Sequence, residues 1–161
     1  MLRLSISLLG FLAAAAAMAD EIRGKVVQVF DGDTLAVVDS RGHYHKVRLA
    51  AIDAPERDMP YGSVSRKSLA DLALGKYAVV MRLETDSYGR TVGKVIVDGR
   101  DVGLEQIKRG LAWHYKAFAW RQSDSDRSSY SSAESSAKSY RDGLWKSPNP
   151  QPPWSWRMTN K

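Results

Sequence analysis

Apolar and polar positions alternate, or gather into β-branched runs, over residues 22–30, 34–38 and 44–52, and the runs are parted by Asp31-Gly32 and Ser40-Arg41-Gly42. A period of two with short polar breaks predicts three strands joined by tight turns. In the third run His45, Val47 and Leu49 share one face and Tyr44, Lys46 and Arg48 the other, because successive strand side chains point to opposite sides. Pro55 and Pro60 interrupt regular structure and predict a loop over 53–61. Leu69, Leu72 and Ala73 then follow helical spacing, with Gly75 placed to end the helix. Residues 77–83 and 91–97 read as two further strands around a turn at 86–90.

Leu104, Ile107 and Leu111 sit at i, i+3 and i+7 of a second helix, with Asp101 as its cap and Gly110 near its end. Tyr130, Ala133, Ala137, Tyr140 and Leu144 predict a third, with one narrow apolar stripe and a solvated, serine-rich opposite face. Pro148 to Pro153 ends regular structure, leaving 154–161 as a mobile tail. Five short strands, with a helix inserted between the third and fourth and three helices in all, make the fold class α+β, mainly β. They suit a five-stranded barrel of the oligonucleotide-binding (OB) kind, although the pattern alone does not establish closure.

Length and composition agree with one domain: 161 residues, 43% hydrophobic and 26% charged, leave room for a real core. The expected division is residues 1–19, a domain over 20–147, and a Pro/Trp-rich tail over 148–161. Arg3, the apolar stretch Leu4 to Ala16 and the small-residue sequence Ala17-Met18-Ala19 read as an export signal, so the mature chain would begin at Asp20. An uncleaved membrane anchor is the alternative, but the stretch is short for a bilayer span. The expected location is therefore exported, periplasmic or secreted, with no stable membrane insertion once the signal is cleaved.

Charge narrows the partners without choosing one. The formal charge is +6, and removing residues 1–19 costs only Arg3, leaving +5. A basic domain attracts nucleic acid, anionic lipid or an acidic protein alike. No cysteine is present, which excludes thiolate catalysis, Cys-ligated zinc and a disulfide framework.

Three segments concentrate charge where strands end: Asp31-Gly32-Asp33-Thr34, Arg48 followed by Asp53-Ala54-Pro55-Glu56, and Asp86-Ser87-Tyr88-Gly89-Arg90. Singly, each is explained as a turn or a helix cap. Together they hold the parts of metal-assisted phosphodiester hydrolysis. Carboxylates bind a hard cation such as Ca²⁺, the cation polarises a phosphoryl oxygen, guanidinium groups grip phosphate, and a remaining carboxylate orients water.

In order and spacing, these segments resemble the staphylococcal (micrococcal) nuclease family, and Gly110-Leu111-Ala112 extends the likeness, which covers roughly residues 22–145. The resemblance implies an OB barrel and a Ca²⁺-dependent endonuclease acting on DNA and RNA and leaving 3′-phosphates. It makes Asp33 and Asp53 calcium ligands, joined by the backbone carbonyl of Ala54, where that nuclease has threonine. Glu56 takes the water-activating position, and Arg48 and Arg90 the phosphate-binding positions.

Some positions depart from the family pattern. The two tyrosines of its nucleotide pocket align with Lys116 and Phe118, and the lysine before Tyr88 is replaced by Ser87. Tyr88, Tyr115 and Lys116 are the candidate substrate contacts, with Trp113 and Phe118 as further aromatic candidates to stack on a base. Asp31 is equally a turn residue and an assisting carboxylate. His114 reads as packing ahead of proton transfer, and His43 with His45 lacks a third ligand for zinc. Trp145 reads as packing. The expected state is a monomer, and the rival reading is a nucleic-acid-binding OB module without catalysis.

Overall fold

The computed structural model describes residues 20–160. The export-signal reading falls on residues 1–19, outside the described residues. In chain order the elements are β1 (Glu21–Val29), β2 (Thr34–Asp39), β3 (Tyr44–Leu49), β4 (Ile52–Asp53), α1 (Gly62–Ala73), β5 (Tyr77–Thr85), β6 (Thr91–Val97), β7 (Arg100–Asp101), α2 (Val102–Lys108), β8 (Trp113–His114), α3 (Asp124–Tyr140) and α4 (Pro153–Thr159). Short 3₁₀ turns cover Lys116–Arg121 and Gly143–Lys146.

Five of these strands close the barrel. Antiparallel neighbours run in the order β3-β2-β1-β5-β6, and β6 returns to pair in parallel with β3 through Val47↔Thr91, Arg48↔Val92 and Leu49↔Gly93. Closure needs strong coiling, and irregularities in register between Val26 and Gln28 and between Arg82 and Glu84 supply it, because a bulge sharpens local twist. Val26, Leu35, Val37, Val47, Leu49, Val80, Val95 and Val97 are all buried in one core, to which α1 adds Leu69 and Leu72 and α2 adds Ile107.

The third apolar run does not continue as one strand to Ile52. Ala51 takes a left-handed conformation (φ 57°), which breaks the ladder after Leu49 and turns Ile52–Asp53 aside to pair with Trp113–His114. That turn carries Asp53 away from the barrel wall and toward the candidate site. The second helix ends at Lys108, with Asp101 Oδ1 accepting from Gly103 and Leu104 N–H groups as its cap. Leu111 is buried beyond the helix end, after Gly110 (φ 64°), whose added Cβ would meet the Asp142 carbonyl at 2.2 Å.

The third helix is shorter than its apolar stripe. Arg141 is left-handed (φ 55°) and stops it at Tyr140, which is 78% exposed, while Leu144 is buried from the following 3₁₀ turn. The buried face of α3 is Tyr130, Glu134 and Ala137. The tail expectation is also corrected. Pro153 opens α4 and is buried, and Trp154 stacks on Tyr115 with ring centroids 5.2 Å apart and planes 14° apart. Among the described residues no helix is long and apolar enough to cross a membrane.

Candidate active site

The β1–β2 turn delivers the first carboxylates. Asp31 Oδ1 accepts the Asp33 N–H at 3.0 Å, a local turn that aims Asp33 inward. Gly32 between them admits no side chain, because an added Cβ would lie 1.8 Å from Ser65 Oγ. Gln106 on α2 seals the arrangement by donating to the Gly32 carbonyl at 2.8 Å and the Ser65 carbonyl at 3.0 Å. The loop is thus held from behind by both α1 and α2.

Asp33 and Asp53 are almost fully buried, at 5% and 1% exposure, and Arg48 joins them. Its Nη1 lies 3.2 Å from Asp33 Oδ2 and its Nη2 lies 3.0 Å from Asp53 Oδ1. Nη1 also donates to the Leu49 and Ile52 carbonyls, at 3.0 and 2.9 Å, which fixes the guanidinium plane. The Ala54 N–H donates to Asp33 Oδ2 at 2.7 Å, tying the loop after β4 to the loop before β2. Arg48 faces away from Val47 and Leu49, as strand alternation requires, and this is the face on which the two loops meet.

These residues line one cleft of about 580 Å³ together with Glu56, Tyr88, Arg90 and Tyr115. Arg90 is held by Asp86, whose Oδ2 accepts from Nε at 2.7 Å, and its guanidinium carbon stands 5.4 Å from the centre of the exposed Tyr88 ring. Lys116 is not brought to the cleft. Its Nζ donates to Glu134 Oε2 at 2.7 Å, on the buried face of α3. Trp145 packs edge-on against Trp113 with centroids 5.3 Å apart. His114 is buried between Gln122 and Ser131 rather than placed in the cleft.

Arg157 on α4 is the functional candidate that the pattern of the chain did not reveal. Its Nη1 donates to Glu56 Oε1 at 2.7 Å and its Nη2 to Asp53 Oδ2 at 2.8 Å. The signal available was Pro152-Pro153, since proline opens a helix as readily as it ends one. Trp154 then supplies the apolar contact that docks the helix, and Arg157 lies three residues further on.

The electrostatics follow from burial among like charges. Burial, followed by the negative charge of Asp33, pushes the Asp31 carboxyl up to about 7. Burial also raises Asp53, against the pull of Arg157 and Arg48. Burial thus makes these carboxylates costly to ionise even where guanidinium groups are held against them. Asp33 and Asp53 offer only carboxylate oxygen, the donor type that suits a hard divalent cation of calcium's class.

Residues 46–147 match the family described as staphylococcal nuclease homologue. The chain is 37% identical over 150 residues to a micrococcal nuclease of Shigella flexneri, covering 88% of this chain and 83% of that protein. It is 36% identical over 154 residues to an uncharacterized endonuclease of Haemophilus influenzae, covering 96% and 83% respectively. An uncharacterized 38.1 kDa protein of Capnoides sempervirens is 38% identical over 117 residues, and there the matched region spans 73% of this chain but 33% of the longer protein.

Proposed function

The chain belongs to the staphylococcal nuclease homologue family, and on that premise we propose that it is a calcium-dependent endonuclease hydrolysing phosphodiester bonds of DNA and RNA. The observation that carries this reading is the bridge formed by Arg48 between the two buried aspartates, in the same cleft as Glu56 and Arg90.

Asp33, Asp53 and the Ala54 carbonyl would hold the cation. When bound, it supplies Lewis-acid polarisation of a phosphoryl oxygen. Arg48 and Arg90 grip the phosphate and stabilise the charge that builds on its oxygens in the transition state. Glu56 has a side chain 33% exposed, so water can reach it, and it orients that water and accepts its proton. The water oxygen bonds to phosphorus as the bond from phosphorus to the 5′ oxygen breaks. One fragment keeps a 3′-phosphate, and the other leaves with a 5′ hydroxyl that takes its proton from solvent. Tyr88, exposed beside Arg90, is the ring that can stack on a base, whereas Tyr115 lines the cleft with one face covered by Trp154.

Cleavage of single-stranded DNA, duplex DNA and RNA with Ca²⁺, Mg²⁺ or chelator, beside a Glu56→Gln control, tests the reaction. Calcium-dependent cutting that chelator abolishes and the control lacks supports it. Retention of nucleic acid without cutting would favour a binding module instead. Fragment end-group analysis tests the 3′-phosphate. We place the enzyme outside the cytoplasm, as a monomer freed from residues 1–19. Cell fractionation with N-terminal sequencing tests this, the expected first residue being Asp20.

A further inference from the structure

At the end of the β2–β3 hairpin remote from the cleft, three side chains converge that the hydrolytic site does not use. Asp39 closes β2, and His43 and His45 stand on either side of the start of β3. Asp39 Oδ2 lies 3.1 Å from His43 Nδ1 and 3.0 Å from His45 Nε2, and the three ligand-type atoms all fall within 4.8 Å of one another. Sequence spacing alone offers two histidines. The hairpin turn brings in the carboxylate that completes a set of three.

The group is built rather than accidental in its orientation. The second carboxylate oxygen, Oδ1, accepts the Arg41 and His43 N–H groups, both at 2.9 Å, which leaves Oδ2 as the one oxygen presented to the imidazoles. The turn is closed by Gly42 N–H to the Asp39 carbonyl at 3.0 Å and Asp39 N–H to the His43 carbonyl at 3.1 Å. Fixing a ligand's far atom in this way orients metal-binding side chains. His43 is exposed, and Asp39 and His45 are half-buried, so an ion can enter from solvent.

We propose that Asp39, His43 and His45 form a second cation site, selective for a zinc-class divalent ion (Zn²⁺, with Cu²⁺ and Ni²⁺ as competitors) and distinct from the oxygen-lined cleft. Two imidazole nitrogens and one carboxylate oxygen are the donors borderline transition ions prefer, whereas calcium prefers oxygen alone. With bonds of about 2.0–2.2 Å, neighbouring ligand atoms of a tetrahedral zinc ion are roughly 3.3 Å apart. The spacings of 3.0 and 3.1 Å need only a small expansion to admit it. Three protein ligands leave one position for water.

The consequence lies in the hairpin. The same ladder that ends in Val38↔Tyr44 beside this site begins with Thr34↔Arg48 at the cleft. An ion here staples the two strands that present Asp33 and Arg48, and it raises the melting temperature by binding only the folded state.

The test is zinc titration of the purified protein with ¹⁵N-labelled imidazoles observed by NMR. His43 and His45 should shift together and saturate at one ion per chain, while the buried His114 stays still as an internal control. His43→Gln and Asp39→Asn should each weaken binding by about an order of magnitude or more while keeping the unliganded fold, checked by circular dichroism. Excess Ca²⁺ should leave the titration unchanged. Unmoved His43 and His45 resonances at millimolar zinc would overturn the proposal, as would wild-type affinity in the variants or displacement of zinc by calcium.

Discussion

Arg157 stands 2.7 Å from the Glu56 carboxylate across 101 residues of sequence. The same guanidinium holds both oxygens of Asp53, at 3.2 and 2.8 Å, so one cation on the last helix occupies two of the carboxylates that metal and water chemistry would use. Burial disfavours its charge, but Asp53 and Glu56 more than compensate and hold it firmly protonated.

Arg157→Ala should therefore have opposite effects on two measurements. Without added cation the carboxylates lose their counter-charge, and the protein should be destabilised by about 1–2 kcal/mol, discounted for the partial exposure of the arginine. Calcium should bind more tightly, because Arg157 no longer competes for Asp53 and Glu56. Chemical denaturation in chelator and calorimetric calcium titration together check this. If neither changes, Arg157 is surface decoration.

The two phosphate-gripping arginines should separate on stability. Arg48→Ala leaves buried Asp33 without a guanidinium partner and Asp53 with Arg157 alone, and loss of one partner from a buried ion pair costs about 3–5 kcal/mol. Arg90→Ala breaks a more exposed pair with Asp86, worth about 0–1 kcal/mol. Both should lower turnover by roughly 100-fold or more if each stabilises transition-state charge. Equal melting points for the two variants would contradict the burial of the Arg48 bridge.

The barrel and the cleft were largely legible because their signals are local. The strand alternation, the Asp-Gly turn and the charges beside it are read within a few residues, and the structure places Asp33, Arg48, Asp53, Glu56 and Arg90 on one cleft. What escaped depends on contacts distant in sequence. Glu134 lies outside the apolar stripe of α3, yet it is buried: its Oε1 accepts the His114 N–H at 3.0 Å and its Oε2 binds Lys116, removing that lysine from the cleft. The prolines before Trp154 read as an ending, because nothing nearby in the chain indicates that Tyr115 provides the surface on which the last helix docks. Tyr140 continues the spacing of α3 but not its burial, since the chain reverses at Arg141.

Gly32→Ala should harm catalysis through packing alone. The new Cβ would meet Ser65 Oγ at 1.8 Å and the Ala54 Cβ at 2.7 Å, pushing apart the two loops that carry Asp33 and Asp53. The expected cost is about 1–3 kcal/mol of stability. Turnover should fall by more than substrate affinity, because Arg90 and Tyr88 lie on a different loop. Steady-state kinetics beside a melting curve distinguish this from global unfolding.

Acid acts on the fold through two opposed groups: His114, whose proton is taken up first by the unfolded chain, and Asp31, whose carboxyl, pushed up to about 7 by burial, takes its proton first in the folded state. The His114 ring is 2% exposed, and its neutral form is satisfied on both sides: Nε2–H donates to Gln122 at 2.8 Å, and Nδ1 accepts from the Ser131 hydroxyl at 3.3 Å. Burial, with Lys116 adding repulsion, pulls the imidazole below its ordinary 6.5. The unfolded chain therefore takes up this proton first, so the contribution of His114 is complete above 6.5 and is lost as pH falls toward the folded value. Glu134 follows at lower pH. Burial opposes its charge, but hydrogen bonds from Lys116 and Lys138 outweigh that and hold it below 4.5, so its contribution is present above 4.5 and is lost as pH falls through the folded value. In an Asp31→Asn background, which removes the opposing carboxyl, urea denaturation from neutral to acid pH should show a decline beginning near 6.5, with a slope of up to about 1.4 kcal/mol per pH unit. His114→Gln should delay that decline to the carboxylate range. If the Asp31→Asn curve stays flat until that range, His114 is not held neutral by the fold.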